Sequence, residues 1–70
     1  MGMHDAENML RRYRGQSVDI KTISGGIYEG KITEISNDYV ALSVTTADGE
    51  QEQVYVFLSS IESVLPRGIV

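Results

Sequence analysis

The chain has no cysteine, one histidine and one proline among its 70 residues. Without cysteine there is no disulfide, no thiolate ligand for zinc and no cysteine nucleophile, and one histidine without a companion does not make a metal site. The carboxylates are scattered over predicted turns and strand exteriors, so no acid–base pair is predicted either. We therefore expect neither a metal nor a cofactor, no catalytic residues and no enzymatic activity.

Long apolar runs are also absent. No stretch approaches the roughly 20 apolar residues that a membrane-spanning helix needs. The N-terminal segment MGMHDAENML has neither the basic region nor the apolar core of a signal peptide, and Ala6 stands where a myristoylation signal has Ser or Thr. These features predict a soluble cytoplasmic protein with no membrane partner.

Basic residues are few, with six Lys and Arg against ten Asp and Glu and a formal net charge of -4. A negative chain repels phosphate at long range, so binding of nucleic acid has to come from a local patch. The length predicts a single domain, residues 1–70, which is too small to bury much apolar surface alone. Because disulfides and metals are not expected, association with further copies is the predicted source of additional stability.

Residues 5–14, DAENMLRRYR, are predicted to form a short helix. Asp5 suits the N-cap position, and Arg11, Arg12 and Arg14 fall near the C-terminal end, where positive charge favours the helix dipole. The same three arginines could instead form an electropositive rim that contacts RNA phosphates.

Residues 16–66 are predicted to form five short antiparallel strands separated by turn signals. Gly30 stands inside the second strand, where a glycine indicates a sharp bend or the close approach of another backbone. In the same strand the apolar positions change parity between Ile32 and Ile35, which indicates a bulge. A strongly bent five-stranded meander closes approximately into a small, SH3-like barrel, so the predicted fold class is all-β with an N-terminal α-helix.

The fourth predicted strand is apolar on both faces, through Val54, Tyr55, Val56, Phe57 and Leu58. A domain this thin does not cover both faces of a strand with its own chain, so this pattern implies a second molecule.

Two blocks of the sequence resemble the Sm-like family, and within it the bacterial Hfq branch. The first block contains Val18-Asp19-Ile20, the Ser24-Gly25 turn, Gly30 and residues 38–42. The second block is VYVFLSSIESVLP, residues 54–66. The resemblance extends from about Met9 to Pro66 and implies a single Sm-like domain with a small barrel over residues 16–66.

The resemblance implies an assembly in which the fourth strand of one subunit pairs with the fifth strand of the next. Such pairing closes a ring of roughly five to eight copies, with about six or seven expected. The implied subunit interface consists of Val54, Tyr55, Val56, Phe57, Leu58, Ile61 and Val64. Val54 and Val56 are expected to face the barrel, whereas Tyr55 and Phe57 are expected to meet the neighbour.

The resemblance also implies binding of single-stranded RNA, in an RNA-chaperone or RNA-processing role. The implied RNA-binding residues are Asn37, Asp38, Tyr39, Ser59, Lys21, Tyr28, Arg11, Arg12 and Arg14. Tyr39 is expected to stack on a base, Asn37 and Ser59 to offer hydrogen bonds, and the arginines to touch phosphates. Tyrosines in strands are also common packing or interface residues, and that interpretation stays open for Tyr28 and Tyr39.

Some positions depart from the RNA-binding pattern of the family. Leu58 and Ser59 occupy the places of a Lys-His pair in the Hfq branch, and Ala41 stands where the Sm branch has Asn. The alternative hypothesis is therefore an Sm-fold ring with a structural or protein-interaction role that has lost RNA binding.

Overall fold

The computed structural model describes residues 3–67, which form one N-terminal helix and a five-stranded antiparallel sheet. The elements are α1 (Met3–Arg11), β1 (Ser17–Thr22), β2 (Ile27–Ile35), β3 (Tyr39–Thr45), β4 (Gln51–Phe57) and β5 (Ile61–Pro66), with a 3-10 turn at Leu58–Ser60. The strand order is β4-β3-β2-β1-β5, and the sheet is not closed, so β4 and β5 are its two edges. The predicted mostly-β fold with an N-terminal helix is confirmed.

The helix differs from the prediction at both ends. It begins at Met3 rather than residue 5, so Asp5 lies inside the first turn and is not the N-cap. It ends at Arg11 because the following amides bond three residues back, as in Tyr13 N to Leu10 O at 2.9 Å, instead of continuing the α pattern. Within residues 3–67 no helix is long and apolar enough to cross a membrane.

Strand β2 changes partner halfway along its length. Its residues 27–31 pair with β1, whereas its residues 31–35 pair with β3. Gly30 lies at this change, and a Cβ atom there would be 2.7 Å from the Ser43 carbonyl oxygen and 2.8 Å from Val44 Cγ1. The expectation of a close backbone approach is therefore confirmed, since any larger residue would push β3 away.

The predicted bulge is also present in β2. The register with β3 shifts between Ile32 and Glu34, so one residue is added to β2 at this point. The extra residue lets Ile32 and Ile35 both point into the core despite their odd spacing, and both are buried.

The core lies on one face of the sheet, under helix α1. Its buried apolar residues are Leu10, Val18, Ile20, Ile32, Ile35, Val40, Leu42, Val56 and Leu58. Strand β5 contributes only the half-buried Ile61 and Val64. Helix α1 contributes Leu10 and lies against β2 and the 3-10 turn, so it caps one end of this core.

Candidate functional site

Strand β4 presents different side chains to its two faces. Val56 is buried and Val54 is half-buried on the core side, whereas Tyr55 and Phe57 remain 54% and 61% exposed on the other side. The only strand partner of β4 within residues 3–67 is β3, so its second edge carries unpaired backbone groups. Two exposed aromatic side chains therefore lie beside an open strand edge.

Most of the remaining predicted interface residues pack against the core of their own chain. Leu58 and Val56 belong to the core, and Ile61 and Val64 pack against it. The exposed apolar side chain of β5 is Leu65, at 63%. The resemblance does not point to Leu65, but strand alternation does, because Val64 opposite Ile20 faces inward and the next residue must face outward.

Tyr39 lies in an aromatic cluster with Tyr55 and Phe57 on the outer face of β3 and β4. Tyr39 is directly opposite Phe57 in the register, and its ring centroid is 5.3 Å from that of Tyr55 with the planes at 76°. This edge-to-face contact uses part of the Tyr39 ring and leaves the side chain half-buried. Ala41, opposite Tyr55, is fully buried although it lies on this outer face.

The turn before β3 brings other predicted RNA-binding residues near the aromatic cluster. Ser36 Oγ accepts hydrogen bonds from the amides of Asp38 and Tyr39, both at 3.1 Å. The Asp38 carbonyl in turn accepts a bond of 2.8 Å from the Leu58 amide, which ties the turn to the segment that carries Ser59. The side chains of Asn37, Asp38 and Ser59 are all exposed.

Lys21 and Tyr28 are not brought together. Tyr28 is opposite the buried Ile20 and Lys21 is opposite Ile27, so the two side chains lie on opposite faces of the β1–β2 pair. Lys21 Nζ is 3.6 Å from Glu62 Oε1. Tyr28 instead lines a small cleft of about 180 Å³ together with Tyr55 and Phe57.

The three arginines at the end of α1 and in the turn after it have different surroundings. Arg11 Nη2 is 2.6 Å from Glu7 Oε2, one helical turn earlier. Arg12 and Arg14 are exposed and form no ion pair with any residue between 3 and 67. The end of α1 therefore offers two unpaired guanidinium groups rather than three.

Two exposed apolar residues on the β1–β2 hairpin are absent from the predicted site. Ile23 and Ile27 flank its turn and are both more than half exposed. Alternation gives Ile23 the parity of Asp19 and Lys21, and Ile27 the parity of Glu29 and Lys31, so this signal could have placed both on the outer face.

No group of three or more His, Cys, Asp or Glu side chains in the described part of the chain is arranged to hold a metal ion. No protein-family model matches the chain, and no curated protein matches it either.

Proposed function

We propose that this chain is an Sm-like subunit that assembles head to tail into a closed ring. In this proposal the bent sheet corresponds to the small barrel of that family, and the free edge of β4 in one copy pairs with the free edge of β5 in the next. About six or seven copies would close the ring. The observation that carries the proposal is the pair of exposed aromatic residues, Tyr55 and Phe57, beside the unpaired edge of β4.

Assembly would relieve two costs of the isolated chain. Burying the exposed parts of Tyr55 and Phe57 would stabilise each interface by about 1 to 2 kcal/mol per side chain. Pairing β4 with β5 would also satisfy backbone groups that the open sheet leaves at both edges. Leu65 on β5 is the exposed apolar residue available to meet the aromatic side chains.

Hydrogen exchange tests the edge pairing directly. In a concentrated sample, residues 51–57 and 61–65 should exchange their amide hydrogens more slowly than in a dilute one, because both edges become paired. The part of β1 from Val18 to Lys21 is the internal control, since its own chain already pairs it on both sides, with β2 and with β5. Equal exchange of β4 and β5 at both concentrations, with β1 unchanged, would contradict this assembly.

The ring is further proposed to bind single-stranded RNA. Arg12 and Arg14 supply unpaired positive charge for phosphates, and the accessible part of Tyr39 supplies a stacking surface next to Asn37 and Ser59. One such patch is weak on a chain of net charge -4, but a ring repeats it and gains affinity through multivalency.

A fluorescence-anisotropy titration with labelled oligo-U and oligo-A at low and moderate salt tests the RNA proposal. Binding should weaken as salt rises. Replacing Arg12 and Arg14 together by Ala should weaken it more than Arg11→Ala, since Arg11 is already paired with Glu7. Absence of binding even at low salt would reject the RNA proposal.

A second candidate is a ring that serves as a protein-interaction platform. The aromatic cluster favours it, because Tyr39 is partly covered by Tyr55 and the cluster presents apolar rings rather than base-reading donors. An oligomer that forms normally but binds neither oligonucleotide would support this candidate.

A further inference from the structure

The change of partner in β2 creates a second cleft, which shares no lining residue with the small cleft beside Tyr28. Beyond Ser43, β3 continues beside β4 alone, because β2 has turned towards β1. The space at this fork is a cleft of about 750 Å³, lined by residues of β1 to β4 and by Arg67, which directly follows β5. We call it the fork cleft, and its polar side chains include Ser17, Glu29, Lys31, Thr45, Gln51 and Arg67.

Lys31 lines the fork cleft. The register places it opposite Ser17 on β1 and opposite Ser43 on β3, so its side chain leaves β2 between two hydroxyl-bearing residues. Within residues 3–67 neither Lys31 nor the Ser17 hydroxyl has a hydrogen-bond or ion-pair partner. Both groups are therefore unused donors.

The hydroxyls on the β3 side add one more donor. Ser43 Oγ donates to Gln51 Oε1 at 2.6 Å, and Gln51 Nε2 donates to Thr45 Oγ1 at 2.8 Å. The Thr45 hydroxyl accepts in this chain, so its own hydrogen remains available. If the amide is turned by 180°, the available hydrogen moves to Ser43 and the number of free donors is unchanged.

Arg67 brings a second cation to the cleft and is held there by two strands. Its Nη1 atom is 3.2 Å from Asp19 Oδ2 and 2.5 Å from Glu29 Oε2. These two carboxylates and the cations of Arg67 and Lys31 balance, so the cleft is locally neutral on a chain of net charge -4. An anion that enters the cleft therefore escapes much of the repulsion of the whole chain.

We propose that the fork cleft binds a phosphate group. A phosphate is rich in acceptor oxygens and carries negative charge, which complements a cleft whose free polar groups are mainly the donors of Lys31, Ser17 and Thr45. The phosphate could belong to a small phosphate monoester or to the phosphodiester backbone of a nucleic acid. The proposal depends neither on the ring nor on RNA binding at Tyr39.

Titration of the ¹⁵N-labelled full chain with inorganic phosphate tests the site, with sodium chloride at matched ionic strength as the reference. Phosphate should shift the amides of Gly30, Lys31, Ser43 and Thr45, and chloride should not. Equal shifts with both salts would overturn the proposal. Adenosine monophosphate and an oligonucleotide without terminal phosphates then distinguish the two sources, and failure of inorganic phosphate and both of these ligands to bind would also overturn it.

Three variants with different expected affinities for phosphate distinguish a loss of binding from a general loss of structure. Lys31→Gln should weaken phosphate binding about tenfold or more, because it removes a charge-assisted donor. Lys21→Gln, the matched control on β1 outside the cleft, should leave the affinity unchanged. Glu29→Gln should strengthen binding by removing a negative charge from the cleft. Equal weakening by Lys31→Gln and Lys21→Gln, or weaker binding by Glu29→Gln, would contradict the assignment.

Discussion

The outer face of β3 and β4 has two ends that expose different kinds of side chain to solvent. At one end Tyr39, Tyr55 and Phe57 form the aromatic cluster, with Tyr55 and Phe57 more than half exposed. At the other end the side chains are hydroxyls and amides that bond to one another, as in Gln51 to Thr45 at 2.8 Å and Gln53 to Thr33 at 3.0 Å. The polar end forms side-chain hydrogen bonds within the single chain, whereas the aromatic end leaves apolar surface that a partner would cover.

This difference exists although the inner face of β3 is apolar under both ends, through Val40, Leu42 and Val44. Val40 and Leu42 on β3 and Val56 on β4 are buried, and the same two strands carry both ends. The core residues therefore do not determine whether the outer face is polar or aromatic. The residues that alternate with the core positions make one end of the outer face polar and the other end aromatic.

The largest effect should come from the shared inner face. Leu42→Ala removes a fully buried side chain between the two ends and should lower the free energy of unfolding by about 3 kcal/mol. Urea denaturation at a fixed protein concentration measures this. Val44→Ala, on the same face but half-buried, is the control and should cost clearly less. Equal losses would show that Leu42 is not the more deeply packed residue.

Gly30→Ala should have the next largest effect, because both ends depend on the bend of β2. The added Cβ atom would meet the Ser43 carbonyl oxygen at 2.7 Å, and relieving that contact should cost about 2 kcal/mol. Thermal unfolding compares it with Gly26→Ala, whose Cβ would meet only the Thr22 hydroxyl at 3.3 Å and the Tyr28 ring. If the two variants unfold at the same temperature, the close approach at Gly30 is not restrictive.

Phe57→Asp should disrupt the proposed subunit interface at the aromatic end of the outer face. A carboxylate in the proposed interface would remove about 2 kcal/mol of apolar burial and add a desolvation cost, so the oligomer should dissociate. Size-exclusion chromatography with light scattering measures the assembly. Gln53→Asp places the same charge on the same face of β4 at the polar end and should leave the oligomer intact. Dissociation by both variants, or by neither, would show that the two ends do not differ in this way.

The smallest effect should come from Gln51→Ala at the polar end. It removes two side-chain hydrogen bonds between exposed groups that water can replace, so the loss of unfolding free energy should be below about 1 kcal/mol. Urea denaturation measures it, and the oligomeric state should not change. A loss above about 2 kcal/mol would mean that the polar end is part of the structural core.

Much of the fold follows from local patterns in the sequence. Gly30 inside a strand indicates the bend, and the odd spacing of Ile32 and Ile35 indicates the bulge, because both signals arise within one strand. The alternation of β4 likewise predicts that Tyr55 and Phe57 face away from the core. Each of these features depends only on neighbouring residues.

Other features depend on pairings that the sequence does not show. Alternation puts Leu65 and Ile27 on outer faces, but it does not show that no described segment covers those faces. The contact of Tyr39 with Tyr55 depends on the register of β3 with β4. The fork cleft arises from the point at which β2 leaves β3, which joins residues as distant as Ser17 and Arg67. The end of α1 was missed because the next residues continue in tight turns with similar composition.

The assembly of the chain through the edges of β4 and β5 is the central claim, and native mass spectrometry tests it most directly. At micromolar concentration the full chain should give one closed oligomer of about six or seven copies, with few intermediate species, because a ring gains its last interface only on closure. A monomer as the dominant species at that concentration would contradict the account.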